Sequence, residues 1–196
     1  MTRPLLIMFL VLTLVAAGLT FYAYELRHRV AQEEKRLAEQ SKIVLPPAGG
    51  PTTPVTLYLA SDAEGTIRRA QDSLPLPEER SERARAILRV LLSRYMQDGS
   101  PHTIAHGSDV RDVFLLGGDT AIVDTNAGFA DSHPSGVLAE ELTIASLVLT
   151  MNANDPRITR VKFLVDGKER ETLAGHADLS RFYKASELEF LGKDAK

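Results

Sequence analysis

Apolar and polar positions alternate most regularly within residues 158–173. Between Val161 and Val165 every second side chain is apolar, and this period of two places one face of a strand on a core. Asp166-Gly167 follows directly and suits a type I′ turn, in which both central residues need a positive φ. We therefore predict an antiparallel β-hairpin over residues 158–173, which needs helices or further strands to cover its apolar face.

Two segments repeat their apolar residues with the helical period instead. Residues 77–96 carry one apolar stripe, with Pro77 suited to the first turn and Gly99 suited to closing the helix. Residues 137–151 form a second, more apolar helical pattern. Four short segments read as strands, and the last two are joined through Gly117-Gly118-Asp119: residues 55–59, 66–73, 110–116 and 120–125.

The order of these elements predicts the fold class. It is strand, strand, helix, hairpin, helix and hairpin, which is typical of an α+β domain of two layers. We expect the two helices to pack on one face of a mostly antiparallel sheet that also contains the opening hairpin. Residues 126–135 are polar and rich in turn formers, which predicts a loop before the second helix.

The chain begins with a four-residue tail and then an uncharged apolar run. Residues 5–24 form this run, and 20 residues of helix span a hydrocarbon core of about 30 Å. We predict a permanent transmembrane anchor, with cleavage as a signal peptide near Val15-Ala16-Ala17 as the alternative. The Lys and Arg residues beyond the run leave its orientation open.

Two segments connect this run to the predicted domain. Residues 25–42 contain good helix formers without Gly or Pro, which favours a helical stalk. Residues 43–54 are rich in Pro and Gly and indicate a semi-extended linker. The predicted domain then covers residues 55–183, followed by a tail over residues 184–196.

Charge and composition exclude several kinds of partner and site. Residues 55–196 hold 17 Lys and Arg against 22 Asp and Glu, a net charge of −5, so bulk charge does not favour nucleic acid. The chain has no Cys, which excludes disulfides and thiolate metal sites.

Candidate catalytic and metal-binding patterns are weak. His102 and His106 have the i, i+4 spacing of zinc ligands, but they fall in a loop, so we interpret them as surface-loop histidines. Asp131-Ser132-His133 contains the residue types of a hydrolase triad, yet adjacent residues do not converge as a triad does. We interpret that stretch as a helix entry with Ser132 or Ser135 as N-cap. We predict no catalytic residue, no metal site and no cofactor.

An arginine row lies along the first predicted helix. It is a solvated face in the simplest interpretation, and it is also the one locally basic surface that the sequence offers to a partner. Its members are Arg83, Arg85, Arg89 and Arg94.

The most specific block of the sequence is Phe163-Leu-Val-Asp-Gly167 with Gly175-His176. Supporting segments are Val55-Thr-Leu-Tyr-Leu59, the helix ending near Tyr95-Met96, Thr120-Ala-Ile-Val-Asp124 with Gly128-Phe129, Leu147-Val-Leu-Thr150, and Glu171-Thr-Leu-Ala-Gly-His176. Together these segments resemble the GerMN domain, the domain of sporulation and germination proteins and of bacterial envelope lipoproteins.

The resemblance implies a non-catalytic interaction or scaffold module, displayed outside the cytoplasm of a bacterial cell by a single-pass anchor in the cell membrane. Its expected partners are the lipid bilayer, through residues 5–24, and envelope proteins or peptidoglycan, with homo-oligomerisation left open. A glycan-binding module for the cell wall is the alternative. Asp166, Gly167, Gly175 and His176 are family positions that we interpret as structural, through turn geometry and packing.

Overall fold

The computed structural model describes residues 51–191. The strands are β1 (Thr52–Ser61), β2 (Thr66–Pro75), β3 (Val110–Leu116), β4 (Thr120–Thr125), β5 (Arg160–Val165) and β6 (Tyr183–Lys184). The helices are α1 (Arg80–Tyr95), α2 (Ala127–Asp131), α3 (Val137–Asn154) and α4 (Ala185–Leu188), and a 3₁₀ turn at Glu189–Leu191 follows. The prediction of an α+β domain is confirmed, and β3 and β4 have the predicted bounds.

The strands form two separate sheets. β1 and β2 make a two-stranded antiparallel ribbon, and the other four strands form a sheet in the order β3-β4-β5-β6. Only the β4–β5 pair is parallel. The chain therefore leaves β4, passes through α2 and α3, and returns beside β4 as β5, since parallel neighbours need a crossover connection.

The predicted position of the opening hairpin is wrong, because β1 and β2 do not join the larger sheet. Side chains from two helices occupy the outer edge of β1 instead. Thr150 Oγ1 accepts the Tyr58 N–H at 2.9 Å, and Asn154 bonds both the N–H and the carbonyl of Thr56. The Tyr95 hydroxyl accepts an N–H from the same edge. An isolated ribbon is marginally stable, and these bonds attach it to the helices.

Helix α3 lies at the centre of the domain. Every residue from Leu142 to Met151 is buried, which is typical of a helix enclosed on all sides rather than packed on one face. Its buried polar residues are compatible with this position because Thr143, Ser146 and Thr150 all form hydrogen bonds. The predicted layer of two equivalent helices is thus replaced by one central helix, with α1 against β1 and β3 beside it.

Helix α1 has one buried face and a side-chain cap. Its buried residues are Ile87, Leu88, Leu91, Leu92 and Tyr95. Glu79 accepts the N–H groups of Ser81 and Glu82, so its carboxylate satisfies two donors that a helix start leaves unpaired.

The predicted hairpin over residues 158–173 is wrong in its second half. β5 and the turn form, and Asp166 and Gly167 adopt φ values of 49° and 72°. However, only an isolated bridge, Val165 to Lys168, continues the turn. The chain then leaves the sheet, because Leu173 is fully buried and the next N–H groups bond to a carboxylate in α3. β6 pairs with β5 instead, antiparallel at Arg160 and Val161.

Further differences lie at the domain boundaries and in one loop. β1 begins at Thr52, within the predicted linker, and the buried Ala185 and Leu188 extend the domain past residue 183. The loop predicted over residues 126–135 contains the short helix α2, capped by Asn126, and α3 starts after Gly136 rather than after a capping serine.

The predicted transmembrane anchor (5–24), the stalk (25–42) and the linker up to residue 50 lie outside the described residues. Among residues 51–191, no helix combines the length and the apolar character needed to cross a membrane.

Candidate functional site

The Gly175-His176 pair lies against the buried carboxylate of Glu140. Glu140 stands in the first turn of α3 and has no solvent exposure. Its Oε2 atom accepts the backbone N–H groups of Ala174, His176 and Ala177 at 3.0, 2.9 and 2.9 Å. Its Oε1 atom lies 2.8 Å from His176 Nδ1. The carboxylate therefore attaches this loop to the end of α3.

These bonds determine the protonation state of Glu140. Burial on its own raises the pKa of the carboxyl group, but the hydrogen bonds from the His176 ring and the three backbone N–H groups outweigh burial and lower the pKa to about 2. The first turn of a helix also favours negative charge. Glu140 is a carboxylate at neutral pH, and the His176 Nδ1 donates to it because a carboxylate only accepts.

The Asp166-Gly167 pair has a local role in the turn after β5. Gly167 donates its N–H to Asp124 Oδ1 at 2.7 Å, and Asp166 donates its N–H to the Thr125 carbonyl at 2.8 Å. The Asp166 carboxylate lies 2.7 Å from Arg111 Nη1. Positive φ at both turn residues is what a type I′ turn requires. Asp166, Gly167 and His176 thus form hydrogen bonds with other parts of the domain, and Gly175 adopts a positive φ of 119°.

A second polar site lies where residues from four segments meet; three of its side chains are buried and the fourth, Asp62, is 45% exposed. We call it the histidine cluster: Asp62, His102, Thr143 and His133. His102 Nδ1 is 2.6 Å from Asp62 Oδ1, and His102 Nε2 is 2.7 Å from Thr143 Oγ1. His133 Nε2 approaches the same hydroxyl at 2.7 Å, and its Nδ1 lies 2.8 Å from the Pro134 carbonyl.

The interpretation of His102 as a surface-loop residue is wrong. Its ring is fully buried and packs edge-on against Tyr95, with ring centroids 4.7 Å apart. His106 is exposed, as predicted, so the two histidines do not share a site. Burial lowers the pKa of His133, and the nearby His102 acts in the same direction. Burial raises the pKa of Tyr95 to about 12, so its hydroxyl is neutral.

The cluster contains a carboxylate, an imidazole and a hydroxyl in the order found in hydrolase triads. The hydroxyl is that of Thr143, which has no solvent exposure and lies 3.0 Å from the Ala139 carbonyl. A nucleophile must touch its substrate, and an enclosed hydroxyl on the central helix does not. Asp131 and His133 lie two residues apart in the sequence and do not contact the same group. Asp131 pairs with Arg170, and His133 contacts the Thr143 hydroxyl. The arrangement therefore joins segments of the fold.

The predicted arginine row divides into two pairs. The Arg89 guanidinium donates to both carboxylate oxygens of Asp109, at 2.8 and 2.6 Å, and also to the Val110 carbonyl. Arg85 pairs with Glu82 and donates to the Arg111 carbonyl. The Arg85 and Arg89 side chains are each less than one-fifth exposed. These two residues connect α1 to the edge of β3.

The other two arginines of the row remain at the surface. Arg94 is half exposed and pairs with Asp72 at 2.7 Å. Arg83 is exposed and donates to the carbonyls of Pro77 and Glu78. The Arg83 end of the row borders a concave surface.

That concave surface lies where the start of α1 passes the end of α3. We call it the arginine pocket; its volume is about 240 Å³. Arg80 Nε and Nη2 both donate to Asp155 Oδ2, at 3.0 and 2.6 Å, and Arg157 donates to the same carboxylate. Burial raises the pKa of Asp155, but these guanidinium contacts lower it overall. The pocket has a cationic rim of Arg80, Arg83 and Arg157 and an apolar floor of Ile87, Met151 and Ile158.

Metal binding has no support from the part of the chain that the structure describes, where no three His, Cys, Asp or Glu side chains are grouped to hold an ion. The sequence reasoning missed Glu140, His133, Thr143 and Asp62 as members of polar sites. The sequence carried one signal for Glu140: a charged residue stands at a helix position that faces the core. No local pattern pointed to the histidine cluster.

These features define a class of small α+β domain, in which one enclosed helix joins a ribbon to a four-stranded sheet. A family model described as Germane, sporulation and spore germination, matches residues 56–171. Since the match covers more than half of the chain, the protein belongs to this family, and the predicted resemblance is confirmed. No curated protein matches the chain.

Solved structures of low sequence identity align with this chain. The tandem GerMN domains of the sporulation protein GerM from Bacillus subtilis align at 22% identity with a TM-score of 0.52, over 69% of this chain and 47% of that one. The first GerMN domain of the same protein aligns at 21% identity with a TM-score of 0.47, over 65% and 93%. A candidate lipoprotein from Clostridium perfringens aligns at 16% identity with a TM-score of 0.47, over 72% and 93%.

Proposed function

We propose that this protein is a single-pass membrane protein whose family domain acts outside the cytoplasm, as a non-catalytic interaction module in the bacterial cell envelope. The arginine pocket carries the proposal, as the place where the module binds an acidic segment of another envelope protein. The family supports a setting in sporulation or spore germination. The uncharged run over residues 5–24 supports the anchor.

The charge of the pocket specifies the chemistry of the partner. Its three guanidinium groups face one carboxylate, that of Asp155, which leaves an excess of two positive charges. Within residues 51–191, the Nη1 atoms of Arg80, Arg83 and Arg157 have no hydrogen-bond partner. Each can donate to a further acceptor, and guanidinium groups favour carboxylates in that role. The remainder of the domain has a net negative charge, so the pocket is a local positive site.

The floor of the pocket adds an apolar requirement. Binding sites are typically concave and apolar with a few convergent polar groups. Ile87, Met151 and Ile158 supply the apolar surface, and a volume of about 240 Å³ accommodates one or two side chains rather than a cofactor. An acidic residue next to an apolar residue in a partner protein matches both features.

The interior polar groups support a non-catalytic role. The carboxylate of Glu140 and the hydroxyl of Thr143 are enclosed and bonded to other parts of the domain. These groups form their hydrogen bonds inside the domain, and the bonds connect loops to α3. The exposed surface is then available for contacts with other molecules.

Crosslinking and mass spectrometry of native membranes test the proposal, with Arg83→Glu as the variant. We expect crosslinks from the α1 region to an envelope protein in the native chain, and at least a tenfold loss in the variant. Arg94→Glu is the matched control, because Arg94 is an exposed arginine of the same helix outside the pocket. Equal crosslinking by Arg83→Glu and the native chain would refute the pocket as the contact site.

A glycan-binding module for peptidoglycan is the second candidate, and exposed aromatic rings favour it. Phe114 and Phe182 are 47% and 48% exposed. Phe114 lies beside Ile122 and Lys162 across three strands, and the Phe182 ring lies 5.9 Å from Lys162 Nζ. Sedimentation of the protein with purified wall material, lost in Phe114→Ala with Phe182→Ala and retained in Arg83→Glu, would favour this candidate.

A further inference from the structure

Strand β2 has an outer edge whose backbone groups are unpaired. In an antiparallel pair, directly opposed residues exchange both of their backbone hydrogen bonds or neither. Thr56 and Tyr58 of β1 bond their N–H and carbonyl groups to side chains of α1 and α3. Gln71 and Arg69 lie opposite them in β2, so their N–H and carbonyl groups point away from β1. Both residues are exposed, and within residues 51–191 these backbone groups have no hydrogen-bond partner.

The other strand edges of residues 51–191 are shorter or already bonded. The helices pair the outer edge of β1, as described above. On β3, the carbonyls of Val110 and Arg111 accept guanidinium groups of α1, and the Asp112 side chain accepts the Val113 N–H. β6 has only two residues. The ten-residue β2 is therefore the strand of this part of the chain best suited to pairing with another strand.

The side chains of β2 are complementary to a second copy of the same strand in one antiparallel register. In that register Ala70 lies opposite Ala70 of the second copy. Arg68 then lies opposite Asp72, and the two-fold symmetry repeats this pair. Arg69 lies opposite Gln71, so their outward N–H and carbonyl groups can exchange hydrogen bonds. Opposite charges on directly opposed residues stabilise a strand pair.

Neighbouring registers lose this complementarity. A register centred on Arg68 or Arg69 places that arginine opposite itself, and one centred on Asp72 opposes two carboxylates. Like charges at directly opposed positions are destabilising. A register centred on Gln71 places Asp72 opposite Ala70, without a charge pair. The arginines therefore blunt the edge against most pairings, and the register centred on Ala70 is the one that satisfies them.

The Arg68–Asp72 pairing would extend contacts that each copy already has. Arg68 Nη2 donates to Glu64 Oε1 at 2.9 Å, and Arg94 Nη2 donates to Asp72 Oδ2 at 2.7 Å. Hydrogen bonds from the Ser73 N–H and from Arg94 lower the pKa of Asp72, which is therefore a carboxylate at neutral pH. Across the two copies, the order of side chains is acid, base, acid, base.

We propose that a second copy of this chain pairs its β2 with β2 in the register centred on Ala70. The product is a two-fold symmetric dimer with a continuous antiparallel ribbon in the order β1-β2-β2-β1. The contact is separate from the arginine pocket, which is lined by residues 80–87 and 151–158. One pair of strands forms a smaller contact than a standard protein interface, so the dimer dissociates on dilution.

Disulfide crosslinking of the full chain in native membranes tests the proposal, because the chain has no Cys of its own. Ala70→Cys brings two thiols to opposed positions whose Cα atoms are about 4.5 Å apart, which a disulfide can bridge. We expect mild oxidation to give at least tenfold more covalent dimer in this variant than in Ser73→Cys.

Ser73→Cys is the matched control because Ser73 is exposed on the same strand. In the proposed register the two Ser73 residues lie roughly 20 Å apart along the strands. Equal yields from Ala70→Cys and Ser73→Cys would overturn the proposal. A higher yield from Arg69→Cys or Gln71→Cys than from Ala70→Cys would also overturn it, because it would indicate another register.

A charge exchange between two tagged chains provides a second measurement. In the Ala70→Cys chain, Arg68→Glu opposes two carboxylates and Asp72→Arg opposes two guanidinium groups, so each variant alone should lose at least tenfold of its dimer yield. In a mixture, each mixed pair regains opposite charges at both positions, and its crosslinking should recover. This recovery requires that both variants are folded. Undiminished crosslinking of either variant alone, or no recovery in the mixture, would contradict the register.

Discussion

Glu140 concentrates several hydrogen bonds of the domain on one side chain. The backbone N–H groups of Gly136, Ala174, His176 and Ala177 and the His176 ring donate to it, and it has no access to water. A buried acceptor that is lost leaves its donors unsatisfied, and the resulting cost is larger than the net contribution of each bond.

We predict that Glu140→Gln lowers the free energy of unfolding by about 2–4 kcal/mol. The amide retains one acceptor oxygen and places an N–H₂ group against backbone donors. Urea unfolding of the full chain in micelles, followed by far-ultraviolet circular dichroism, measures the change. Glu141→Gln is the control, since Glu141 is exposed and adjacent, and a similar loss in both variants would contradict the assignment.

Glu140 also predicts a pH dependence of stability. Its pKa falls from an ordinary 4.5 to about 2 on folding, so its contribution is fully present above pH 4.5 and is lost as the pH falls towards 2. The difference in unfolding free energy between the native chain and Glu140→Gln should therefore shrink between pH 4.5 and 2. Other carboxylates are common to both proteins and cancel, and a constant difference across this range would be inconsistent with the prediction.

Single residues also mark the limit of sequence reasoning. The type I′ turn at Asp166-Gly167 was predictable because its requirement for positive φ is local. Glu140 was not, since the loop whose N–H groups and His176 ring donate to it lies more than thirty residues away along the chain. The histidine cluster joins Asp62 to His102 and Thr143, and only the packed fold brings them together.

Among the secondary-structure elements, the ribbon β1–β2 depends on α3 for the pairing of its outer edge. The Tyr58 N–H donates to Thr150 Oγ1 at 2.9 Å, and Asn154 pairs with Thr56 one turn later. Two side chains at i and i+4 on a helix thus act as the neighbouring strand would. Unpaired strand edges favour pairing with other chains, so this arrangement also covers an edge.

We predict that Thr150→Val destabilises the protein by about 1–3 kcal/mol, because it keeps the shape of the side chain and leaves the Tyr58 N–H without its acceptor. Amide exchange at Tyr58 should accelerate, and urea unfolding should give the free energy. Thr159→Val is the control, since Thr159 is exposed. Unchanged exchange at Tyr58 would show that Thr150 does not hold the ribbon edge.

The periodicity of the sequence predicted which segments form elements better than it predicted their partners. β3, β4 and α1 were recognisable from their own patterns. The alternation over Val161–Val165 correctly indicated a strand but did not specify whether the next strand in the chain or a distant one pairs with it. The parallel β4–β5 pair and the enclosure of α3 depend on contacts across the whole domain.

For the full chain, membrane attachment is the property that the proposed function most requires. We predict that the protein stays with membranes after alkaline carbonate washing, and that Leu12→Arg with Leu14→Arg releases it. An Arg near the centre of a membrane helix costs about 2.5–3.5 kcal/mol. Leu37→Arg lies outside the uncharged run and is the control. Release of the native chain by carbonate would contradict the anchor, and a phosphatase fused after Lys196 reports the side of the membrane.

Helix α3 connects features that lie far apart in the domain. Glu140 is in its first turn, whereas Asn154 is its last residue and lines the arginine pocket. A helix rises 1.5 Å per residue, so these two points are roughly 21 Å apart on one stiff rod. A small axial displacement of α3 at the pocket end would therefore also move the loop that holds His176. The two distant surfaces are coupled through this helix.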